Sequence, residues 1–169
     1  MGQYNELIPA AVLVPLVERN QGLTALLTQR SNRLAKHPGQ VSFPGGHVDP
    51  TDNSPEDTAL RETEEEIGLN RRHVNVLGRL DQYRVRTGFI VTPVVGLVTP
   101  PFKIKPDEYE VANIFEVPLS FLLNPKNHER QSRKYRGEIR HFYAMHYNGY
   151  YIWGATAGML VNLYQVLKK

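Results

Sequence analysis

The sequence predicts an α/β protein with a mixed β-sheet, on three observations. Strand-type runs come first, helices are interspersed among later strands, and hairpin signals recur along the chain. At 169 residues it is long enough for one domain with a real core, and 1–169 reads as that single domain. No internal repeat, low-complexity segment or Ser/Gly-rich linker divides it.

The opening hairpin is "AAVLVPLV" (10–17) and "LTALLTQ" (23–29), both rich in β-formers, around the turn-like "ERNQG". Residues 30–53 hold Pro38, Gly39, Pro44, Gly45, Gly46 and Pro50, so this stretch reads mainly as loop. A helix over about 55–67 is punctuated at both ends. Ser54 suits the N-cap, Pro55 the first helical position, and Glu56 and Asp57 the positive helix end. Gly68 suits the left-handed residue that closes a helix. "HVNVLGRL" and "RTGFIVTPVVGLV" read as strands, the second interrupted at Pro93. "EVPLSFLL" reads as a short helix stopped near Pro125. "EIRHFYAMHYNGYYIWG" alternates about an "NG" turn and reads as a hairpin, and "ATAGMLVNLYQVLKK" has helical periodicity.

Composition narrows the function classes. Apolar residues make up 41% and charged residues 22%, an ordinary globular balance. With no cysteine, neither disulfides nor thiolate-held zinc can contribute. No apolar run approaches the roughly 20 residues that span a bilayer, and no basic region followed by an apolar core marks the N-terminus. The expectation is a soluble, cytoplasmic protein without a membrane partner. A net charge of +3 mildly favours anionic ligands, whereas RNA binding asks for a larger basic stripe, so no nucleic-acid partner is expected.

The chemistry concentrates in "ALRETEEEIGL" (59–69), which crowds Glu62, Glu64, Glu65 and Glu66 together although like charges at helical spacing destabilise a helix. Glu62, Glu65 and Glu66 fall on one face, within an arc of about 100°, and Glu64 points elsewhere. Arg61 stands i,i+4 from Glu65 and i,i+3 from Glu64 and relieves part of the repulsion. A solvated acidic face is one explanation. The other is a bound cation, since all-oxygen ligands suit Mg²⁺ or Mn²⁺. Just upstream, the paired glycines of "FPGGHVDPTD" let backbone approach a ligand or offer a carbonyl to a metal.

The run "GGHVDPTDNSPEDTALRETEEEIGL" resembles the Nudix box, the loop–helix signature of hydrolases that cleave nucleoside diphosphates linked to another group. "RETEEEIGL" (61–69) fits the family pattern except that Thr63 takes an apolar place. Asp52 stands where the general pattern has Glu, with a spacing to Arg61 one residue longer. "LLTQRSNRLAKHPGQVSFPGG" (26–46) is similar to the additional motif of the coenzyme A pyrophosphatases, with Ala35 where that motif has arginine. "EVANIFEVPLSFLLNP" and "YIWGATAGML" resemble later segments of the same group.

The resemblance implies an α/β/α sandwich with a central mixed sheet. It implies a metal-dependent pyrophosphatase that splits coenzyme A and its derivatives into 4′-phosphopantetheine and adenosine 3′,5′-bisphosphate. Glu62, Glu65, Glu66 and the Gly46 carbonyl would hold Mg²⁺ or Mn²⁺, with Arg61 orienting the glutamates. Either Glu62 or Glu110 would serve as general base, and Asp52 would bind metal or cap local backbone. Arg30, Arg33 and Lys36 would contact phosphates beside Gly45. Tyr147, Tyr150, Tyr151 and Trp153 would either stack an adenine or fill a hairpin core. The partner is then a small nucleotide, and a homodimer is compatible with the family. The competing readings are hydrolysis of another dinucleotide such as ADP-ribose or NADH, and a Nudix module that binds nucleotide without cleaving it. Against the last stand the intact Glu62, Glu65 and Glu66, since a sensor has no need of repelling carboxylates.

Overall fold

A computed structural model describes residues 6–169; the first five residues of the stretch read for a targeting signal lie outside it. The opening hairpin forms from β1 (Ile8–Arg19) and β2 (Gly22–Arg30), with a turn tighter than "ERNQG" because Glu18 and Arg19 stay in the ladder. That ladder pairs Leu16–Arg19 with Gly22–Ala25 and goes no further, so the two strands splay apart. β3 (Val41–Ser42) pairs with β2 at Thr28 and Gln29, and β4 (Gly45–His47) pairs with β1 at Ala10–Val12. Two short strands therefore lie inside the stretch expected to be loop. The cause is backbone accounting. Buried N–H and C=O groups on the opened edges need partners, and residues 41–47 supply them, as when the Leu13 N–H donates to the Pro44 carbonyl at 2.8 Å.

Helix α1 (Pro55–Ile67) starts and stops where its punctuation directs. The Ser54 side chain accepts from the Asp57 N–H, and Gly68 closes the helix at φ 68°. Three strands follow, β5 (Val74–Arg79), β6 (Tyr83–Val85) and β7 (Phe89–Val98). β7 runs parallel to β1 across ten residue pairs while its other neighbours are antiparallel, which makes the sheet mixed. Pro93 does not interrupt β7. It lies between Val94, the last residue paired with β5, and Val91, where pairing with β6 starts, so no ladder N–H is required of it on that edge.

β8 (Val111–Pro118) takes the other edge of β2. Glu116–Pro118, expected as helix, are thus strand, and helix α2 (Leu119–Leu122) is a single turn. Alternation explains it: Val117 enters the core, while Glu116 accepts two hydrogen bonds from Arg19, at 2.9 and 2.7 Å. A second, three-stranded sheet is made by β9 (Glu129–Tyr135), β10 (Glu138–Tyr147) and β11 (Tyr150–Trp153), and helix α3 (Ala155–Leu167) follows. The Asn148–Gly149 turn joins β10 to β11 as expected. β9 was not expected, because "ERQSRKY" carries no apolar alternation.

The two faces of the main sheet bury different partners. Ala11, Leu13, Val94 and Ala59 of α1 form one cluster, and Val17, Leu26, Val98 and Ile67 of α1 another. On the opposite face, Val14, Leu16, Leu27 and Val95 pack with Met145, Ile152, Leu160 and Leu163. The result is an α/β/α sandwich. No helix among the described residues is long and apolar enough to cross a membrane.

Candidate active site

The acidic helix and the glycine strand meet where β1 and β2 part. β4 lies against β1 so closely that a Cβ on Gly45 would stand 2.4 Å from the Ala11 carbonyl oxygen. A Cβ on Gly46 would stand 2.5 Å from the Glu62 carboxyl carbon. Both positions require glycine because backbone and a carboxylate occupy the space a side chain would take. The Gly45 N–H donates to the Glu66 carboxylate.

Three carboxylates press on one another here. Burial first, then the neighbouring Glu110 and Glu62, pushes Glu66 up to about 8, against the opposing pull of the Gly45 N–H and Arg30. Glu62 is raised in the same sense by burial and by Glu65, with Arg61 opposing. Glu110 is brought there by the loop between β7 and β8. The N–H groups of Lys105 and Asp107 donate to the Ile67 and Glu66 carbonyls at 2.7 and 2.8 Å, and the Glu110 carbonyl accepts from Ser31 at 2.9 Å. The loop is thus fastened across the helix end and to the end of β2.

Arg61 is the counter-charge. Its Nη1 donates to Glu62 at 3.2 Å and to Glu65 at 3.1 Å, and Nη2 donates to the His47 carbonyl at 3.1 Å. Asp52 holds the same guanidinium through both oxygens at 2.9 and 3.0 Å and also accepts from the Thr58 hydroxyl and the Asp49 N–H, each at 2.8 Å. Arg61 holds the Asp52 carboxyl far below the usual carboxylate range, and Asp52 raises Arg61 in return. So Asp52 caps local backbone, as expected, but its larger bond is to Arg61, which sequence spacing did not indicate. Arg61 does not relieve Glu64. That residue turns to Arg71, accepting from its backbone N–H at 2.9 Å and its Nε at 3.2 Å. Thr63 lies on the buried stripe of α1, and its hydroxyl donates to the Ala59 carbonyl at 2.6 Å, so a polar residue is accommodated at the apolar place.

Glu62, Glu66, Glu110, Gly45, Gly46 and Arg61 are brought together, and Glu65 is tied to them through Arg61 while its side chain stays 58% exposed. Among the described residues no three carboxylate or imidazole groups close around one point as a metal shell. Arg61 accounts for part of that, since it draws Glu62 and Glu65 to its own nitrogens. The donor set nevertheless fits a hard divalent ion: oxygen groups only, mutually repelling, beside a glycine whose missing Cβ leaves the Glu62 carboxylate room.

Of the basic candidates, Arg30 is nearest. Its charge is felt by Glu66, its Nη2 donates to the Lys36 carbonyl at 3.0 Å, and its buried Nε has no partner. Arg33 and Lys36 are exposed on the loop beyond. The four aromatic candidates divide by strand alternation. Tyr147 and Tyr150 face the core, Tyr150 stacked on Phe115 with ring centroids 3.6 Å apart, whereas Tyr151 and Trp153 project from the opposite face.

The family description "NUDIX domain" matches residues 7–137. A Nudix hydrolase named NudL from Yersinia enterocolitica is 46% identical over 162 residues, covering 92% of this chain and 80% of that protein. NudL of Escherichia coli K12 is 44% identical over 155 residues, covering 91% and 80%. The chain belongs to the Nudix family and is a Nudix hydrolase. Enzymes of this family act on small nucleotide substrates and generally use divalent metal ions. Among solved structures the fold is shared with an Ap4A hydrolase of C. elegans in a binary complex, with a TM-score of 0.57 at 23% identity over 66% of this chain and 80% of that one. It is shared also with the NUDIX domain of Shewanella oneidensis NrtR complexed with ADP ribose, with a TM-score of 0.53 at 23% identity over 71% and 78%.

Proposed function

We propose that this enzyme hydrolyses the pyrophosphate bond of coenzyme A and its derivatives, giving 4′-phosphopantetheine and adenosine 3′,5′-bisphosphate. The observation that carries the reading is Arg30, the arginine of "LLTQRS", whose buried Nε lacks a partner within the electrostatic reach of Glu66. A guanidinium fixed by a main-chain carbonyl and with a donor to spare suits a substrate phosphate.

Glu62, Glu65, Glu66 and the Gly46 carbonyl would hold Mg²⁺ or Mn²⁺, which when bound neutralises phosphate charge and acidifies water. Arg61, fixed by Asp52, sets the direction of the Glu62 and Glu65 carboxylates. The Gly45 N–H orients Glu66. Either Glu110 or Glu62 accepts the proton of the attacking water. Arg30, Arg33 and Lys36 bind the phosphates of the substrate. One observation favours a second reading. Ala35 removes a cation that the coenzyme A motif carries, which leaves room for another nucleoside diphosphate derivative such as ADP-ribose, the ligand in the NrtR complex, or NADH.

Incubation of the purified protein with Mg²⁺ or Mn²⁺ and each of coenzyme A, ADP-ribose and NADH, with products identified by mass spectrometry, tests the proposal. Coenzyme A is expected to turn over fastest; faster turnover of either other substrate replaces the proposal with the second reading. Chelation should abolish turnover reversibly, with Mg²⁺ or Mn²⁺ restoring it and Ca²⁺ restoring little, because Ca²⁺ prefers more ligands at longer distances. Full activity in excess EDTA would exclude the mechanism.

A further inference from the structure

The loop between β7 and β8 carries an aromatic ring beside the acidic site. Tyr109 is 60% exposed, more than any other Phe, Tyr or Trp among the described residues. Among those residues its ring meets no other ring and lies under no cation, and its hydroxyl has no hydrogen-bond partner. Its backbone, by contrast, is held. The Tyr109 N–H donates to Asp107 Oδ1 at 3.0 Å, and the Glu110 and Val111 N–H groups donate to the Asp107 carbonyl at 3.1 and 2.9 Å. The Asp107 N–H is bonded to the Glu66 carbonyl at the end of α1, and the Glu110 carbonyl to the Ser31 N–H, where the loop of Arg33 and Lys36 begins. A ring on a fixed loop loses little further freedom when a ligand meets it.

Three kinds of group therefore share one junction. Glu110 is close enough to Glu66 and Glu62 to raise both carboxylates. Arg33 and Lys36 are exposed on the loop that starts at Ser31, and Tyr109 stands next to Glu110. A nucleoside diphosphate derivative has matching parts: a pyrophosphate for the carboxylates and their metal, a flat base, and in coenzyme A a further phosphate on the ribose. The hairpin rings that could have stacked a base are already engaged, Tyr150 on Phe115, Tyr147 against Phe121, and Tyr151 with Trp153. Tyr109 is the ring left open. We propose that the adenine of the substrate stacks on Tyr109, which thereby sets the preference for adenosine diphosphate derivatives over pyrophosphates without a base. The proposal rests on the reading that this site hydrolyses such derivatives. A phenol ring suits the task because its face takes a purine while its hydroxyl stays in water.

Tyr109→Ala and Tyr109→Phe separate the ring from its hydroxyl, and at so exposed a position both should fold as the parent does. With coenzyme A or ADP-ribose as substrate, Tyr109→Ala should raise KM about tenfold, about 1.4 kcal/mol, and leave kcat within about twofold. Tyr109→Phe should stay near the parent. Calorimetric titration with Ca²⁺ in place of Mg²⁺ or Mn²⁺ gives a readout apart from turnover. There ADP should bind Tyr109→Ala about tenfold more weakly than the parent, while inorganic pyrophosphate and 4′-phosphopantetheine bind both alike. Equal weakening of ADP and pyrophosphate would make Tyr109 a support of the Glu110 loop. Weakening of 4′-phosphopantetheine alone would give the ring to the other half of the substrate, and unchanged ADP binding would remove it from the site. Each of these overturns the inference. If the parent hydrolyses neither coenzyme A nor ADP-ribose, the proposed function falls, and the ratio of ADP to pyrophosphate affinity in Ca²⁺ still decides whether Tyr109 holds a base.

Discussion

In helix α1, Glu62 and Glu65 share the Arg61 guanidinium, which Asp52 holds in turn; in the β9–β10 hairpin, Arg133 and Arg140 face each other with no carboxylate between them. Both regions gather like charge, yet only the acidic one is built into the body of the protein. Its carboxylates lie between β4, whose Gly45 N–H donates to Glu66, and the Lys105–Glu110 loop, whose N–H groups fasten it to the end of α1. The hairpin is held by its own ladder and by rings under its cations. A buried carboxylate cannot lower its charge by swinging into water, so it takes up a proton or waits for a cation. An exposed arginine stays charged and hydrated. The first arrangement stores repulsion at a fixed point, which suits chemistry.

The largest effect should come from breaking the acidic side. Glu66→Gln keeps size and hydrogen-bonding capacity but removes one anionic ligand, and turnover should fall about a thousandfold in the presence of Mg²⁺ or Mn²⁺. Steady-state kinetics with matched metal checks it. A loss of only a few fold would mean that Glu66 lies outside the metal shell. The same substitution should leave metal-free stability equal or higher, the opposite of what removing a structural ion pair does.

A second, smaller effect follows from the pH dependence of that stability. Glu66 is raised from 4.5 to about 8 in the folded state. Between those values the native protein keeps a proton that the unfolded chain has released, so metal-free stability is greatest below about pH 4.5 as far as this group is concerned and declines as pH rises toward 8. The loss is a few kcal/mol, and Glu62 contributes in the same direction. Asp52 has the opposite sign, since its carboxyl is depressed, and its contribution is lost only on acidification below the ordinary aspartate range. Urea denaturation at several pH values in EDTA should show the decline, Glu66→Gln should flatten most of it, and an unchanged slope in that variant would assign it elsewhere.

The contrast also separates what the sequence discloses from what it hides. α1 was legible to the residue because its signals are local: a serine cap, a proline at the first turn, a glycine at the end. The Glu62–Glu66 face followed from helical geometry in the same way. β3 and β4 were hidden because their strand character depends on β1 before Leu16 parting from β2 beyond Ala25, a fact about distant ladders. The approach of Glu110 to Glu66 depends on main-chain bonds from Lys105 and Asp107, which no side-chain pattern encodes. β9 was hidden by its polarity, since both its faces are largely solvated. The division of Tyr147 and Tyr150 from Tyr151 and Trp153 could have been drawn from period-two alternation, apart from the turn at Asn148–Gly149 that resets it.

The smallest effect decides which basic surface reads the far end of the substrate. Coenzyme A and dephospho-coenzyme A differ only in the 3′-phosphate, a compact dianion distant from the scissile bond, so any preference between them measures contact with a cation there. Arg30 lies within electrostatic reach of Glu66 and its Nη2 is engaged with the Lys36 carbonyl, which leaves Arg33 and Lys36 as the exposed cations of that loop, with Ala35 between them. With one cation absent, a preference for coenzyme A of about tenfold in kcat/KM is expected, about 1.4 kcal/mol. Lys36→Ala should lose most of it while hydrolysis of dephospho-coenzyme A stays nearly unchanged, because the chemistry at Glu62 and Glu66 is untouched. Arg133→Ala, on the separate hairpin, should leave the ratio as it was. Equal loss on both substrates for Lys36→Ala would move that lysine to the pyrophosphate, and a ratio lost in Arg133→Ala instead would make the hairpin, not the glycine loop, the surface that holds the 3′-phosphate.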